Sequence, residues 1–156
     1  IPVIRAQEVI VEEGRGQGFM NESCTRIVRT AQDVKLSPES NIMIGEDMHY
    51  PGKWSGFPSH SHAQPEIYFY KFYPQNGFGL LRLGEEGVLL EHNDTVLIEP
   101  NKVHPQVAAP GYAMYYLWVI RHLEGNPYIK PDFDPQHLWV EQPGAKYWPD
   151  SCEGKA

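Results

Sequence analysis

The chain of 156 residues is poor in the features that mark secreted, membrane-spanning or nucleic-acid-binding proteins. It has only two cysteines, Cys24 and Cys152, near opposite ends and outside any CxxC or CxH setting. That spacing excludes a disulfide framework and gives cysteine no part in a metal site; a reducing cytoplasm is the expected setting. Positive charge is not in excess: 13 Lys and Arg stand against 20 Asp and Glu, for a net charge of -7. This excludes the basic footprint of a phosphate-backbone binder. No apolar run approaches the roughly 20 residues of a membrane helix, and no basic-then-apolar leader is legible. Neither nucleic acid nor membrane is an expected partner. Helical periodicity is also missing over any stretch of about 12 residues. Residues 31–39, AQDVKLSPE, come nearest, and Pro38 ends that segment early.

What the chain does have is short segments rich in Val, Ile, Leu, Tyr and Phe. VIVEE, TRIVRTA, NIMIGEDMH, EIYFYKF, GLLRL, TVLIEP, HPQVAA and AMYYLWVIR read as strands. GRGQG, SPES, PGKW, PQNG, GEEG, HND, PNK and APG separate them as turns. The GRGQG glycines precede no helix that could present amides to a phosphate, so they read as a hairpin turn. The pattern is that of an all-β sandwich or barrel. Past residue 126 the chain is proline-rich and loses alternation. It reads as an irregular C-terminal arm anchored by Tyr128 and Trp139, fraying near Cys152. One domain is expected over 1–140, with a tail over 141–156.

The chemistry concentrates in PSHSHAQPEIYFYKF, residues 58–72. Residues two apart in a strand share a face, so His60 and His62 point the same way. Pro65 interrupts the strand, and Glu66 opens another whose alternate residues are Tyr68, Tyr70 and Phe72. If Glu66 faces inward, so do those three. His104, in EPNKVHPQV, offers a further donor after the Pro100 turn. Three imidazoles and a carboxylate suit one divalent first-row ion: Zn first, with Mn, Fe, Ni or Co also compatible. The plain alternative is four ordinary polar residues beside a buried strand. His49, His92, His122 and His137 lack this spacing and read as surface or core histidines.

His60-x-His62-x-x-x-Glu66, followed by Pro100-Asn101-Lys102-Val103-His104, resembles the two metal-binding motifs of the cupin superfamily. That likeness implies a double-stranded β-helix, or jelly roll. Two positions depart from it: Asn93 stands before Asp94 where glycine is usual, and Lys102 where glycine is common before the last His. PGKWSGFPSHSH, PEIYFYKF, PQNGFGLLRL, NDTVLIEPNKVHP and AAPGYAMYYLWV resemble, in order, blocks of the family that joins 5-deoxy-glucuronate isomerase and 4-deoxy-5-ketouronate isomerase. The likeness is to its C-terminal, metal-binding half; full-length members carry two cupin-like halves.

The resemblance implies a metal-dependent aldose–ketose isomerase acting on an open-chain deoxy-uronate, with a small sugar acid as its partner. Such a reaction needs a base and a cation for the substrate carboxylate. Tyr68 and Tyr70, inward by parity, and Glu99, near the His104 turn, are the base candidates, with a core or solvated role equally open to each. Arg82 and Lys102 are the cation candidates, set against ordinary surface salt bridges. Two other functions fit the same residues: an Fe(II) cupin dioxygenase, and a non-catalytic sugar-binding cupin. Trp118, bulky enough to fill part of a pocket, keeps the last in play. Exposed sheet edges lead to the expectation of a homodimer.

Overall fold

The strand signals fold as strands. The computed structural model describes residues 10–152, and each of the eight quoted apolar segments contains one strand. In chain order the strands are β1 (Ile10–Arg15), β2 (Arg26–Gln32), β3 (Ile42–His49), β4 (Trp54–Ser55), β5 (His60–Ser61) and β6 (Glu66–Tyr73). They continue with β7 (Gly79–Leu83), β8 (Glu86–Leu90), β9 (Thr95–Ile98), β10 (Gln106–Ala108), β11 (Ala113–Arg121) and β12 (Asp132–Phe133). The short strands β4, β5, β8 and β12 lie outside the quoted segments. Gly84 and Glu85 turn β7 back onto β8, with Gly84 in the left-handed region at φ 62°.

The nearest helical candidate, residues 31–39, forms no helix: its first two residues end β2 and turns follow. Asp33 Oδ1 accepts hydrogen bonds from the amides of Lys35 (2.9 Å) and Leu36 (2.8 Å), a local arrangement that competes with helix. The helical segments among the described residues are short 3-10 turns at Met20–Glu22, Pro135–Glu141 and Asp150–Cys152. None of the described helices is long and apolar enough to cross a membrane. The glycine-rich GRGQG segment ends β1 and opens the connection to antiparallel β2, which also holds the 3-10 turn Met20–Glu22.

Two antiparallel sheets make the architecture. One runs β1-β2-β3-β11-β6-β9 and the other β4-β10-β7-β8. Strict alternation along β6 and β11 decides what lies between them. Tyr68, Tyr70 and Phe72 of β6 face inward with Met114, Tyr116 and Trp118 of β11. They meet Leu81, Leu90 and Ala108 of the second sheet in one continuous core. Polar bonds also cross between the sheets: Tyr70 Oη donates to Gln106 Oε1 at 2.5 Å, and Ser55 Oγ lies 3.0 Å from Tyr116 Oη. The result is a sandwich of the kind the strand pattern predicted, and it fits the jelly roll that the resemblance implied.

A third, two-stranded sheet pairs β5 with β12 and so brings the C-terminal arm back over the domain. The Asp134 amide donates to the Ser59 carbonyl at 2.8 Å. Asp134 also caps the turn Pro135–Glu141, which runs across the expected boundary at 140. Of the two expected anchors, Tyr128 packs against His62 at 4.9 Å between ring centroids. Trp139 is half-exposed beside Tyr147, and Val140 is the residue of that turn that is buried. Near Cys152, where fraying was expected, the described residues end in the 3-10 turn Asp150–Cys152.

Candidate functional site

Glu66 opens β6, and the same alternation that turns Tyr68 inward turns Glu66 inward. His62 follows β5 and His104 follows the turn after β9. The Asn101 amide donates to the His62 carbonyl at 2.8 Å and ties these two segments together. That turn places Asn101 at φ 64°, and the β8–β9 turn places Asn93 at φ 75°. Asparagine tolerates this left-handed conformation. The expected departures from glycine therefore carry little strain: Asn93 takes up the glycine-like geometry itself, and beside Lys102 it is Asn101 that does.

His62, Glu66 and His104 each bring a donor atom within 4.8 Å of the others, and all three side chains are buried. Glu66 Oε2 lies 3.1 Å from His62 Nε2 and 3.5 Å from His104 Nε2. The opposite ring nitrogens are occupied by backbone. His62 Nδ1 lies 2.8 Å from the Gln64 carbonyl, His104 Nδ1 2.8 Å from the Lys102 carbonyl, and His60 Nδ1 3.2 Å from the Pro58 carbonyl. A carbonyl can only accept, so each Nδ1 carries a proton, and it is the Nε2 atoms of His62 and His104 that are turned to Glu66. Burial pushes the imidazoles of His60 and His104 down to about 4, so both are neutral at pH 7. Imidazole Nε2 atoms converging on one buried carboxylate fit a divalent cation.

His60 stands beside this trio and not within it. Its ring meets His104 edge-on, 5.0 Å between centroids, and Phe133 of β12 at 5.5 Å. All four expected ligands line one cavity of about 540 Å³. Tyr68 lines it too, and burial holds its hydroxyl well above the usual phenol range.

The other expected site residues are elsewhere. Tyr70 is fully buried in the core on Gln106, outside the cavity wall. Glu99 is exposed in the turn after β9. Arg82 points outward from β7, with Nε on the Gly84 carbonyl at 2.8 Å and Nη2 on Glu85 at 2.9 Å. Lys102 is exposed, and its chain runs along Gly84. None of these four lines the cavity.

Sequence reading missed Arg26 and Asp47, which do line it. Arg26 Nε donates to Asp47 Oδ2 at 2.9 Å, and Trp118 Nε1 donates to Asp47 Oδ1 at 3.1 Å. Desolvation raises the Asp47 carboxyl, with the Arg26 charge opposing that shift. Parity was the available signal: Asp47 alternates with Gly45 and Met43 on β3. Hydrophobicity argues the other way, because Ile42, Ile44 and Met48 occupy the opposite face.

The chain matches the KduI/IolB family over residues 2–140. It is 31% identical to 5-deoxy-glucuronate isomerase of Geobacillus kaustophilus, over 88% of this chain and 52% of that protein. The Bacillus subtilis 168 enzyme of the same name is 28% identical, over 88% and 54%. The chain thus spans about half the length of these relatives. An IolB-like protein from Salmonella typhimurium superimposes with a TM-score of 0.78 at 25% identity, over 89% of this chain and 55% of that one. A cupin-like protein from Thermotoga maritima superimposes at 0.56 with 20% identity, over 78% and 87%, a likeness of fold. Jelly roll, motif order and family match converge, and the chain belongs to the KduI/IolB family.

Proposed function

We propose that the chain is a metal-dependent isomerase of an open-chain deoxy-uronate, 5-deoxy-glucuronate or a close analogue, serving inositol catabolism in the cytoplasm. One observation carries this reading: a Glu66 carboxylate within 3.1 and 3.5 Å of two imidazole Nε2 atoms, at the wall of a cavity large enough for a sugar acid. The relatives named 5-deoxy-glucuronate isomerase support the substrate class.

His62, Glu66 and His104 would hold the ion, with His60 beside them as the fourth donor. A divalent ion there supplies Lewis-acid polarisation of neighbouring carbonyl and hydroxyl oxygens. Tyr68 stays protonated at neutral pH, so its Oη serves as a hydrogen-bond donor to a sugar oxygen and not as a resting base. Tyr128, across His62, and Phe133, across His60, close the cavity on the arm side and keep bulk water from the donor atoms.

The second reading is a metal-containing cupin that binds a sugar acid without converting it. Trp118, an indole among the residues that line the cavity, favours it. The test is metal-loaded protein with 5-deoxy-glucuronate, followed by NMR for the ketose product. Turnover supports the isomerase. Binding without turnover moves the chain to the second reading, and oxygen uptake with iron moves it to a dioxygenase. A homodimer through an exposed sheet edge belongs to the same proposal.

A further inference from the structure

A uronate differs from a neutral sugar by its carboxylate, and the two cations expected to hold it, Arg82 and Lys102, are outside the cavity. Among the described residues three other cations line it: Arg15, Arg26 and Lys130. Arg15 and Lys130 are exposed, where water competes for any anion. Arg26 differs. Its side chain is only 12% exposed, and two bonds fix its guanidinium: Nε to Asp47 at 2.9 Å and Nη1 to the Cys24 carbonyl at 3.0 Å. Neither bond uses Nη2. Asp47, itself 6% exposed, is held on its other oxygen by Trp118 Nε1.

A buried ion pair is an inefficient way to stabilise a sheet, because desolvation offsets much of the attraction. It is an efficient way to hold a guanidinium at a fixed angle in a cavity wall, and a planar guanidinium suits a carboxylate. Arg26 lines the same cavity as His60, His62, Glu66 and His104. The positive group and the donor cluster therefore face one shared space.

We infer that Arg26 binds the substrate carboxylate, with Asp47 as the positioning residue that aims it. The inference rests on the uronate reading proposed above. It assigns the wall formed by β2 and β3 to the acid end of the substrate and the wall formed by Glu66 and the imidazoles to the carbonyl end.

The test measures binding of D-glucuronate and of D-glucose to the metal-loaded protein by calorimetry. It compares wild type, Arg26→Gln, Arg26→Lys, the neutral pair Arg26→Gln/Asp47→Asn, and the outside controls Arg82→Gln and Lys102→Gln. Loss of a charge-assisted bond is expected to weaken D-glucuronate roughly ten- to a hundredfold in Arg26→Gln and in the neutral pair. D-glucose binding and both controls stay within about twofold of wild type, and Arg26→Lys recovers part of the loss. The neutral pair covers the case in which an unpaired Asp47 prevents Arg26→Gln from folding. Equal losses for both sugars would make Arg26 a structural residue and overturn the inference, as would unchanged D-glucuronate binding. Wild type that binds D-glucuronate no better than D-glucose also overturns it. Charge discrimination through Arg26 with no turnover of 5-deoxy-glucuronate supports the subsite and removes the isomerase reading.

Discussion

The Trp118 indole lies directly over the α-carbon of Gly45 on the neighbouring strand. A β-carbon at Gly45 would fall 2.1 Å from Trp118 Cζ2 and 2.5 Å from the Arg29 carbonyl oxygen. Trp118 and Gly45 are register partners between β11 and β3, and from this position the indole Nε1 donates to Asp47. The bulk that a sequence reader would put into the pocket is accommodated largely by a missing side chain. Gly45→Ala should therefore destabilise the protein by about 1–3 kcal/mol through overpacking. Denaturant midpoints check this, and a neutral Gly45→Ala would mean that the indole is free to move.

Metal content separates site from shell. Purified protein should carry about one equivalent of divalent ion per chain, as one site implies. His62→Ala, Glu66→Ala and His104→Ala should each abolish it while leaving the far-ultraviolet spectrum of a β protein. Chelation should lower the melting temperature of wild type, since binding to the native state alone stabilises it. A full equivalent retained in His62→Ala would sink the ligand assignment.

The two tyrosines should part company. Tyr70→Phe removes the bond to Gln106, whose Nε2 already lacks a partner, and should cost about 1–3 kcal/mol of stability with metal retained. Tyr68→Phe should cost turnover instead, with a smaller change in melting temperature. Comparable stability losses in both, with turnover intact, would count against a Tyr68 role at the substrate.

Acid should unfold the protein through its buried imidazoles. His49, with Nδ1 3.3 Å from the Lys53 carbonyl, is pushed down to about 3 by burial; His60 and His104 are pushed down to about 4. A histidine whose folded value is depressed favours the native state above its unfolded value near 6.5 and loses that stability as pH falls from there toward the folded value. Each such group adds a slope of up to about 1.4 kcal/mol per pH unit in that window. Stability measured without metal should fall steadily from pH 6.5 to 4, and His49→Gln should make the fall shallower. An unchanged slope in His49→Gln would show that His49 is not one of the groups taking up protons.

Legibility followed the physics of each face. β6 and β11 were readable because their alternation matches their burial: aromatics inward, and Glu66 inward at the end of the same row. β2 and β3 were readable as strands but not by face. Arg26, Asp47 and His49 look inward, while Ile27 and Met48 look outward, since this part of the sheet faces a polar cavity. The cations misled for the opposite reason. Arg82 lies on a strand whose alternate residues Gly79 and Leu81 are buried, and that parity sends its guanidinium out to Glu85. Proximity in sequence to His104 recommended Lys102 and Glu99, but a turn that aims one imidazole inward aims its neighbours at solvent.

The free edge of the larger sheet gives the oligomer test. β9 is the last strand, and its Leu97 is the register partner of Ile67, both exposed on the outer face. An apolar pair at a sheet edge is a site for a second chain. Sedimentation should find a dimer at micromolar concentration, and Leu97→Lys should shift it to monomer. A monomeric wild type would remove the dimer from the proposal.

The pairing of β5 with β12 also sets an order of assembly. His60 and Ser61 find their strand partners in Phe133 and Asp132, beyond both sheets in the sequence. During synthesis the sandwich can form first, with the donor cluster still uncovered and open to arriving ions. The arm can close only afterwards, because Asp132 and Phe133 are synthesised after every strand of the two sheets. Closure of the arm over His60 is thus the last step open to the chain, and the stretch that reads as loose tail is the part that completes the cavity wall.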